Sequence, residues 1–378
     1  MTDLTLEILA GELHRLFPLP PDASREFSRK RELLQVNMRD RLMSLDTIHE
    51  LTGYHLVTDL LDSHRNHVNL MANVFEYDLC ALLVQTIPRM HLASLSRGFS
   101  REYFTVELSA WRDAAAVVLN PESAGAVIPV YQWIIDHHDD LVSAARKSAA
   151  GAPPSGGTPW DSMAERFLKQ LVWGNTRECL SIASEIASTD QLMPFFRHVV
   201  QPAMHEIGMM WERGVITVSQ EHAASSIVGR VMSSLYASFA RPHPTKGRAL
   251  VGAVTCEYHE LGAWIISDML ELDGWEVRYL GANTPPGDML TMLERFSPHI
   301  FALSVTMPFN LEHASRIISA MRENPRIAQI AVLAGGIAIN MSPGLWKTIG
   351  ADGSAPDVEG AVELAAQLWE QLPVDRRQ

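Results

Sequence analysis

The stretch from Thr255 to Gly262, Thr-Cys-Glu-Tyr-His-Glu-Leu-Gly, places an imidazole, two carboxylates and a glycine within a few residues of one another. It directly follows the apolar run 249–254 and opens an amphipathic run over 261–272, which predicts a turn from a buried strand into a helix. In open α/β sheets, small molecules bind outside the carboxyl ends of the strands. The sequence therefore predicts a ligand site at this turn.

The elements that must position this turn alternate from residue 248 onward. Predicted strands lie at Ala249–Val254, Glu276–Tyr279, Ile300–Val305 and Ile330–Ala334, with a weaker one near Ile349. Predicted helices lie near 261–272, 287–295, 310–323 and 358–371. This order predicts a parallel, doubly wound sheet with right-handed crossovers, an α/β domain of flavodoxin-like (Rossmann-type) fold over residues 247–378.

Two further groups follow at the ends of predicted strands. Ser304-Val305-Thr306 follows Gly262 after 41 intervening residues, and Gly335-Gly336 follows Thr306 after 28 more. Because the carboxyl ends of parallel strands meet at one edge of a sheet, these groups and the turn at Thr255–Gly262 are expected to converge.

The three groups resemble the cobalamin-binding module of methionine synthase, corrinoid proteins and cobalamin-dependent mutases. That family has Asp-x-His-x-x-Gly, then Ser-x-Leu, then Gly-Gly, at similar separations. The resemblance makes His259 the lower axial ligand of cobalt and Glu257 the partner of its other ring nitrogen. It implies that Gly262, Gly335 and Gly336 leave room for the cofactor's nucleotide tail and that Ser304 hydrogen-bonds this tail. Tyr258 and Thr306 are predicted to bind the cofactor as well. Glu at 257 and Thr at 306 depart from the family pattern.

The turn also has an interpretation in which it binds no ligand. A single histidine between a strand and a helix is usually a solvated side chain without a ligand. Three motifs at matching separations favour the cobalamin site over that alternative.

Residues 160–243 precede this domain and carry four predicted helices, at Trp160–Trp173, Thr176–Ser188, Leu192–Arg213 and Val218–Phe239. Nine residues separate Trp211 from the pair Glu221-His222, which resembles the four-helix cobalamin cap of the light-sensing repressors of carotenoid synthesis. The resemblance implies that Trp211 packs over the 5′-deoxyadenosyl group, while Glu221 and His222 line the same cavity.

One position departs from the repressors. They carry, directly after the Trp, a His that binds cobalt after photolysis, whereas this chain has Glu212. His205 and His222 are the substitutes that the sequence offers. The alternative interpretation of Trp211 and the Glu221-His222 pair is a tryptophan in the core and a Glu-His pair on the surface.

Residues 1–147 are predicted to be an all-helical N-terminal domain, globin-like or a bundle, with helices at His55–Val74, Tyr77–Ser94, Arg101–Leu119 and Ala126–Lys147. A Gly/Pro-rich linker is predicted at 148–159. The domain holds eight of the fifteen histidines: His14, His49, His55, His64, His67, His91, His137 and His138.

The layout of this chain resembles the photocobilins, which pair a cobalamin module with a biliverdin-binding helical domain. The resemblance implies biliverdin as a possible second chromophore. Helix packing or dimerisation is the alternative, and Cys80 is expected to be a buried structural thiol rather than a bilin attachment point.

Composition limits the partners. The formal net charge of −13 argues against a nucleic-acid partner, and no apolar run approaches the roughly 20 residues that span a bilayer, so no membrane partner is expected. Three cysteines without metal-like spacing, and an N-terminus without the features of a signal peptide, predict a cytoplasmic protein.

These observations predict a light sensor that uses adenosylcobalamin and is not an enzyme. Its signal would be a light-dependent change in homo-oligomerisation, passed to an unidentified downstream effector. The alternative is a corrinoid protein that carries methyl groups between methyltransferases, which would share His259 and a helical cap. A mutase fragment is a weaker third reading, since mutases need a substrate barrel.

Overall fold

The computed structural model describes residues 5–53, 55, 57–148, 158–239 and 243–373. The chain divides into two compact units. The N-terminal unit consists of helices, and the C-terminal unit contains a group of helices followed by a parallel sheet.

The N-terminal unit contains eight α-helices and a 3₁₀ turn at His14–Leu16 within the described residues. The helices are α1 (Leu6–Leu13), α2 (Pro21–Met43), α3 (Ile48–Leu51), α4 (Val57–Tyr77), α5 (Cys80–Leu95), α6 (Arg101–Val118), α7 (Pro121–Asp136) and α8 (His138–Ser148). Polar side chains set several of these starts. The Ser100 side chain accepts a hydrogen bond from the Tyr103 backbone N–H, as an N-cap residue does.

The predicted single helix over 126–147 is wrong, because two helices meet at His137. Its backbone is non-helical, at φ −106° and ψ 11°, and its Nδ1 lies 2.9 Å from the carbonyl oxygen of Trp133. Asp139 and Asp140 then occupy the first turn of α8, where negative charge favours a new helix start. The predicted linker largely lies outside the described residues, which resume at Thr158.

The helices of the C-terminal unit form what we call the four-helix module, residues 159–238. It comprises α9 (Pro159–Val172), α10 (Thr176–Ala183), α11 (Leu192–Phe195) continuing through a π-helical turn (Phe196–Val200) into α12 (Gln201–Glu212), and α13 (Val218–Ser238). Capping boxes begin two of these helices, with Thr158 and Asp161 at α9 and Thr217 and Gln220 at α13. The four helical segments begin within one residue of their predicted starts, but α10 ends at Ala183, five residues before the predicted end at Ser188.

The sheet has five parallel strands in the order β2-β1-β3-β4-β5, which confirms the predicted flavodoxin-type topology. The strands are β1 (Arg248–Ala253), β2 (Glu276–Tyr279), β3 (Ile300–Ser304), β4 (Ala331–Gly335) and β5 (Gly353–Ser354). The helices are α14 (Leu261–Leu272), α15 (Pro286–Phe296), α16 (Leu311–Glu323), α17 (Ile337–Asn340), α18 (Leu345–Thr348) and α19 (Val358–Gln371). The weak strand predicted near Ile349 is misplaced, since Ile349 ends α18 and β5 begins four residues later.

Strand register brings the predicted groups to one edge. Ala253 at the end of β1 is paired with Ser304, and Ser304 is paired with Gly335 at the end of β4. The predicted convergence is thus confirmed at the level of the backbone. The reversal of strand order at β1 and β3 leaves a crevice at this edge, where α/β sheets bind ligands.

The four-helix module shares a hydrophobic core with α14. Phe167, Phe195 and Val231 of the module are clustered with Ile265 and Met269 of α14. A methyl group added to Gly229 on α13 would lie 3.5 Å from the indole of Trp264, so the two helices approach closely there. The module is therefore fixed beside the helix that directly follows the 255–260 loop.

Ion pairs join the module to the last helix as well. The guanidinium of Arg197, in the π-helical turn, contacts Glu359 and lies 3.8 Å from Asp357, the N-cap residue of α19. Among the described residues, no helix is both long and apolar enough to cross a membrane.

Candidate functional site

The loop between β1 and α14 is held by the loops that follow β2 and β3. Cys256 has a left-handed backbone, at φ +62°, and its N–H donates to the Asn283 side-chain oxygen at 2.8 Å. The Asn283 N–H donates in return to the Glu257 carbonyl oxygen at 2.9 Å. Left-handed residues other than glycine are uncommon and cost free energy, so these bonds fix a strained turn immediately before Glu257.

Glu257 is the most constrained side chain of the loop, because it is completely buried. Its Oε2 accepts hydrogen bonds from the backbone N–H groups of Thr306 at 2.9 Å and Met307 at 2.8 Å, and from the amide of Asn310 at 3.2 Å. Burying a lone carboxylate costs several kcal/mol, and charge-assisted hydrogen bonds of about 1.5–3 kcal/mol each offset that cost. Glutamate at this position thus reaches the loop after β3 with one oxygen.

The other oxygen of Glu257 orients His259. Oε1 lies 2.5 Å from Nδ1 of the imidazole and also accepts the His259 backbone N–H at 3.2 Å. The His259 side chain is 58% exposed. Within the described part of the chain, Nε2 has no hydrogen-bond partner. A proton held at Nδ1 leaves the Nε2 lone pair facing outward, which is the arrangement of a histidine prepared to bind a metal ion.

The electrostatics of the pair favour a charged carboxylate. Burial alone would raise the pKa of Glu257, but hydrogen bonds from His259 and from the 306–310 loop lower it below its ordinary value. Burial alone would lower the pKa of His259, but the carboxylate of Glu257 raises it above the ordinary value. Glu257 is therefore an anion that stabilises positive charge on or beyond the imidazole.

The glycines divide into two kinds. Gly336 has φ +102°, and a Cβ there would lie 2.3 Å from the Val305 carbonyl oxygen, so only glycine fits. A Cβ at Gly262 or Gly335 would find nothing within 4 Å among the described residues beyond its chain neighbours. Open space beside Gly262 and Gly335, next to an outward-facing imidazole nitrogen, fits a large flat ligand with a tail along the sheet.

The remaining predicted residues lie around the same edge. Tyr258 is 72% exposed, and its hydroxyl oxygen lies 3.4 Å from Nδ2 of Asn283. Ser304 is partly buried at the end of β3, and Thr306 contributes its backbone N–H to Glu257. Whether the side chains of Tyr258, Ser304 and Thr306 touch a cofactor stays a prediction.

Sequence reasoning missed Asn310 and Asn283. Asn310 is buried, and its amide donates both to Glu257 Oε2 and to the Cys256 carbonyl oxygen, at 3.1 Å. Its signal in the sequence is weak: a polar residue in the Pro308–Asn310 turn, directly before the amphipathic helix α16. Asn283 gives no signal beyond the ordinary preference of Asn for turns.

One carboxylate of the four-helix module, that of Glu221, acts electrostatically on His259. Glu221, in the first turn of α13, accepts a hydrogen bond from the Ser225 hydroxyl at 2.8 Å and lies 3.5 Å from the ring nitrogen Nε2 of His222. Its negative charge adds to the increase in the pKa of His259, which places Glu221 on the histidine's side of the module. The structure thus brings Glu221 within electrostatic range of His259, while the position of His222 beside a cofactor stays a prediction.

Trp211 is partly buried against the core that the module shares with α14. Among the described residues, no ring contact or hydrogen bond joins Trp211 to His222. His205, the other histidine considered as an upper ligand, is exposed on α12, and His222 is 73% exposed.

Comparison with known families agrees with this geometry. Residues 247–365 match the family model of the B12-binding domain, and residues 163–236 match a second model that is also described as a B12-binding domain. The chain is a cobalamin-binding protein.

Several relatives share this region. The dimethylamine corrinoid protein 2 of Methanosarcina mazei is 24% identical over 168 residues, which are 44% of this chain and 77% of that protein. The HTH-type transcriptional repressor CarA of Myxococcus xanthus is 25% identical over 232 residues, 61% of this chain and 76% of the repressor. The names of these relatives describe corrinoid proteins and a transcriptional repressor.

A solved structure supports the fold. The monomethylamine corrinoid protein of Methanosarcina barkeri superposes with a TM-score of 0.50 and 15% sequence identity, over 55% of this chain and 98% of that protein. The cobalamin-binding half of the chain therefore has the same general architecture as that corrinoid protein.

The N-terminal unit contains a second candidate site, made of polar side chains in a helical core. His64, His67, His91 and His138 are all buried. The Nε2 atom of His64 lies 3.0 Å from the Tyr103 hydroxyl, while its Nδ1 is buried without a partner among the described residues. Burial lowers the pKa of His64 to about 4 and that of His67 to about 3, so both are neutral at physiological pH.

Aromatic and acidic groups complete this second site, which we call the histidine cluster. Its other members are Tyr103, Phe104, Glu107, Trp111 and Tyr131. His67 stacks on Trp111 at 5.0 Å, and Nδ1 of His91 lies 3.0 Å from Nε2 of His138. Burial raises the pKa of Glu107 to about 7. Buried imidazoles and carboxyl groups cost free energy unless they are hydrogen-bonded, and His64 Nδ1 has no partner among the described residues.

We predict that Glu257→Gln weakens cobalamin binding by about 10–100-fold, the range typical for residues that orient a metal ligand. Glu257 uses both oxygens as acceptors, whereas glutamine must turn its NH₂ group toward either His259 or the 306–310 loop. Titration of the cobalamin-free protein, followed by absorption, measures the affinity.

Glu260→Gln is the matched control, because Glu260 is an exposed carboxylate on the same loop. The Glu260→Gln variant should bind cobalamin with the same affinity as the wild type. Equal affinities of the Glu257→Gln variant and the wild type would contradict the role of Glu257.

Proposed function

We propose that this protein is a cytoplasmic light sensor that uses adenosylcobalamin, with biliverdin as a second chromophore in the N-terminal unit. The observation that carries the proposal is the nine-residue spacing from Trp211 to Glu221-His222, combined with the position of Glu221 on the side of His259. The likeness to the repressor CarA over 232 residues supports the same assignment.

In this proposal, His259 binds cobalt through Nε2 while Glu257 holds Nδ1. When bound, adenosylcobalamin supplies a cobalt–carbon bond that visible light breaks. The chain does not need to move protons or bind a substrate for that event. Its residues have to hold the lower face rigidly, cover the upper face in the dark, and respond when the upper group leaves.

Trp211 is the residue proposed to cover the adenosyl group, because its flat indole is partly buried against the core yet still reaches the surface of the module. Glu221 and His222 line the same cavity from α13. Loss of the adenosyl group removes the packing partner of Trp211. Since the module shares its core with α14, a shift of α12 or α13 changes the surface of the C-terminal unit.

The proposed output is a change in self-association that an effector protein detects. A net charge of −13 disfavours a nucleic-acid partner, although the similar repressor carries an HTH designation. Glu212 stands where the repressors place the upper histidine, so the state formed after photolysis must differ from theirs.

We predict that green light changes the elution volume of the adenosylcobalamin-loaded protein in gel filtration and converts its absorption spectrum. The Trp211→Ala variant should bind cobalamin but show a much smaller light-dependent shift, because the side chain that senses the adenosyl group is gone. Trp173→Ala is the matched control, since Trp173 is 78% exposed elsewhere in the module. Identical dark and light elution, with unaltered spectra, would refute light sensing.

A corrinoid methyl carrier is the second candidate, and the similarity to the dimethylamine corrinoid proteins favours it. Such a carrier would bind methylcobalamin at least as well as adenosylcobalamin and would not respond to light by changing its assembly. The same gel filtration, performed with both cofactors, separates the two candidates.

The histidine cluster supports the biliverdin part of the proposal. Neutral imidazoles, phenol groups and a stacked indole offer hydrogen bonds and flat surfaces to a tetrapyrrole. Cys80 is only 7% exposed, which favours noncovalent binding.

We predict that protein produced with biliverdin absorbs red light, and that His67→Phe weakens this binding at least tenfold while leaving cobalamin binding unchanged. Phenylalanine keeps the stacking on Trp111 and removes the imidazole. The exposed His49→Gln variant serves as the control. A wild-type protein without biliverdin absorption would remove biliverdin from the proposal and leave the cobalamin sensor intact.

A further inference from the structure

Three potential metal ligands that are not members of the histidine cluster meet elsewhere in the N-terminal unit. Cys80 is the first residue of α5, Asp78 lies in the turn between α4 and α5, and His14 directly follows α1. The Cys80 sulfur lies 3.4 Å from Nδ1 of His14, and the ligand atoms of the three residues all lie within 4.8 Å of one another.

The backbone holds the two segments in place. Asp78 has a left-handed conformation at φ +54°, and the Leu79 N–H donates to the Val74 carbonyl oxygen at 3.1 Å, so the turn is closed on α4. The His14 carbonyl oxygen accepts the Phe17 N–H at 3.0 Å. Each segment therefore presents its side chain from a fixed backbone.

The three side chains differ in their exposure to solvent. Cys80 is buried, whereas His14 and Asp78 are exposed. The sulfur is a fixed point, while the imidazole and carboxylate are free to rotate onto an incoming ion. An approach from solvent is open on the side of His14 and Asp78.

The distances match those of a shared ion. With zinc–sulfur and zinc–nitrogen bonds of about 2.3 and 2.0–2.1 Å, tetrahedral geometry places the sulfur and nitrogen about 3.5 Å apart. The 3.4 Å between Cys80 and His14 agrees with that value. The exposed carboxylate of Asp78 lies within 4.8 Å of both of these ligand atoms, close enough to share an ion with them.

The alternative is a simple hydrogen bond between a thiol and an imidazole. That alternative gives Asp78 no role, and the carboxylate then only opposes ionisation of the thiol. Burial and the charge of Asp78 raise the pKa of Cys80 above its ordinary value. A divalent cation reverses both effects, because it compensates two negative ligands at once.

We propose that His14, Asp78 and Cys80 form a binding site for a zinc-class divalent cation, independent of the cobalamin. Thiolate, imidazole and carboxylate are the ligands that zinc binds in proteins, and water completes the tetrahedron. On binding, the Cys80 thiol releases its proton to solvent as the sulfur–metal bond forms. The ion ties α1 to the turn between α4 and α5.

The test uses the full chain with Cys256→Ser as the parent, because Cys256 is exposed beside His259 and offers a competing thiol. The metal-free parent is titrated with Cd²⁺, whose bond to a thiolate gives a charge-transfer band in the ultraviolet. The band should saturate at about one equivalent, and Zn²⁺ should displace it. Adding Cys80→Ser should abolish the band.

The other two ligands are tested by affinity. His14→Gln and Asp78→Asn should each weaken Cd²⁺ binding at least tenfold while the thiolate band persists, and the exposed control His49→Gln should leave the affinity unchanged. Circular dichroism checks that each variant keeps its helices. A parent without the band, a band that survives Cys80→Ser, or unaltered affinities in the His14 and Asp78 variants would each overturn the proposal.

Discussion

The cobalamin half of this protein depends on one contact, between a completely buried carboxylate and a half-exposed imidazole. Glu257 lies 2.5 Å from Nδ1 of His259 with one oxygen, and its second oxygen accepts hydrogen bonds from the loop after β3. The contact therefore joins the ends of β1 and β3, the neighbouring parallel strands at which the strand order reverses. It also decides which nitrogen of His259 is free. The strained backbone at Cys256 and the amide of Asn310 both act through this carboxylate.

The contact between Glu257 and His259 is also linked to the four-helix module through α14. Because α14 begins two residues after His259 and shares a core with the four-helix module, the histidine and the module are parts of one packed body. Glu221 affects the pKa of His259 within that body. A cofactor held by His259 would be sensed by the module through packing, without a long pathway between separate domains.

Much of this could be predicted from the sequence, since the decisive signals are local. Apolar runs that end in glycine or polar turns locate β1, β3 and β4, and parallel pairing then forces Ser304 and Gly335 together. The rest depends on tertiary context. The Asn310 amide donates to Glu257 only because the tertiary fold brings the turn at Pro308–Asn310 next to that carboxylate, and no local sequence pattern predicts this approach. The break at His137 was missed because apolar spacing continues across it, and β5 is only two residues long.

Ligation of cobalt by His259 is the central claim, and electron paramagnetic resonance of the protein loaded with cob(II)alamin tests it most directly. The axial nitrogen splits each cobalt line into a triplet when it is ¹⁴N and a doublet when it is ¹⁵N. Protein produced with ¹⁵N-labelled histidine should give doublets, because the coordinating nitrogen then belongs to the chain. Triplets that persist in the labelled protein would show that the cofactor's own base remains bound, which would contradict the account.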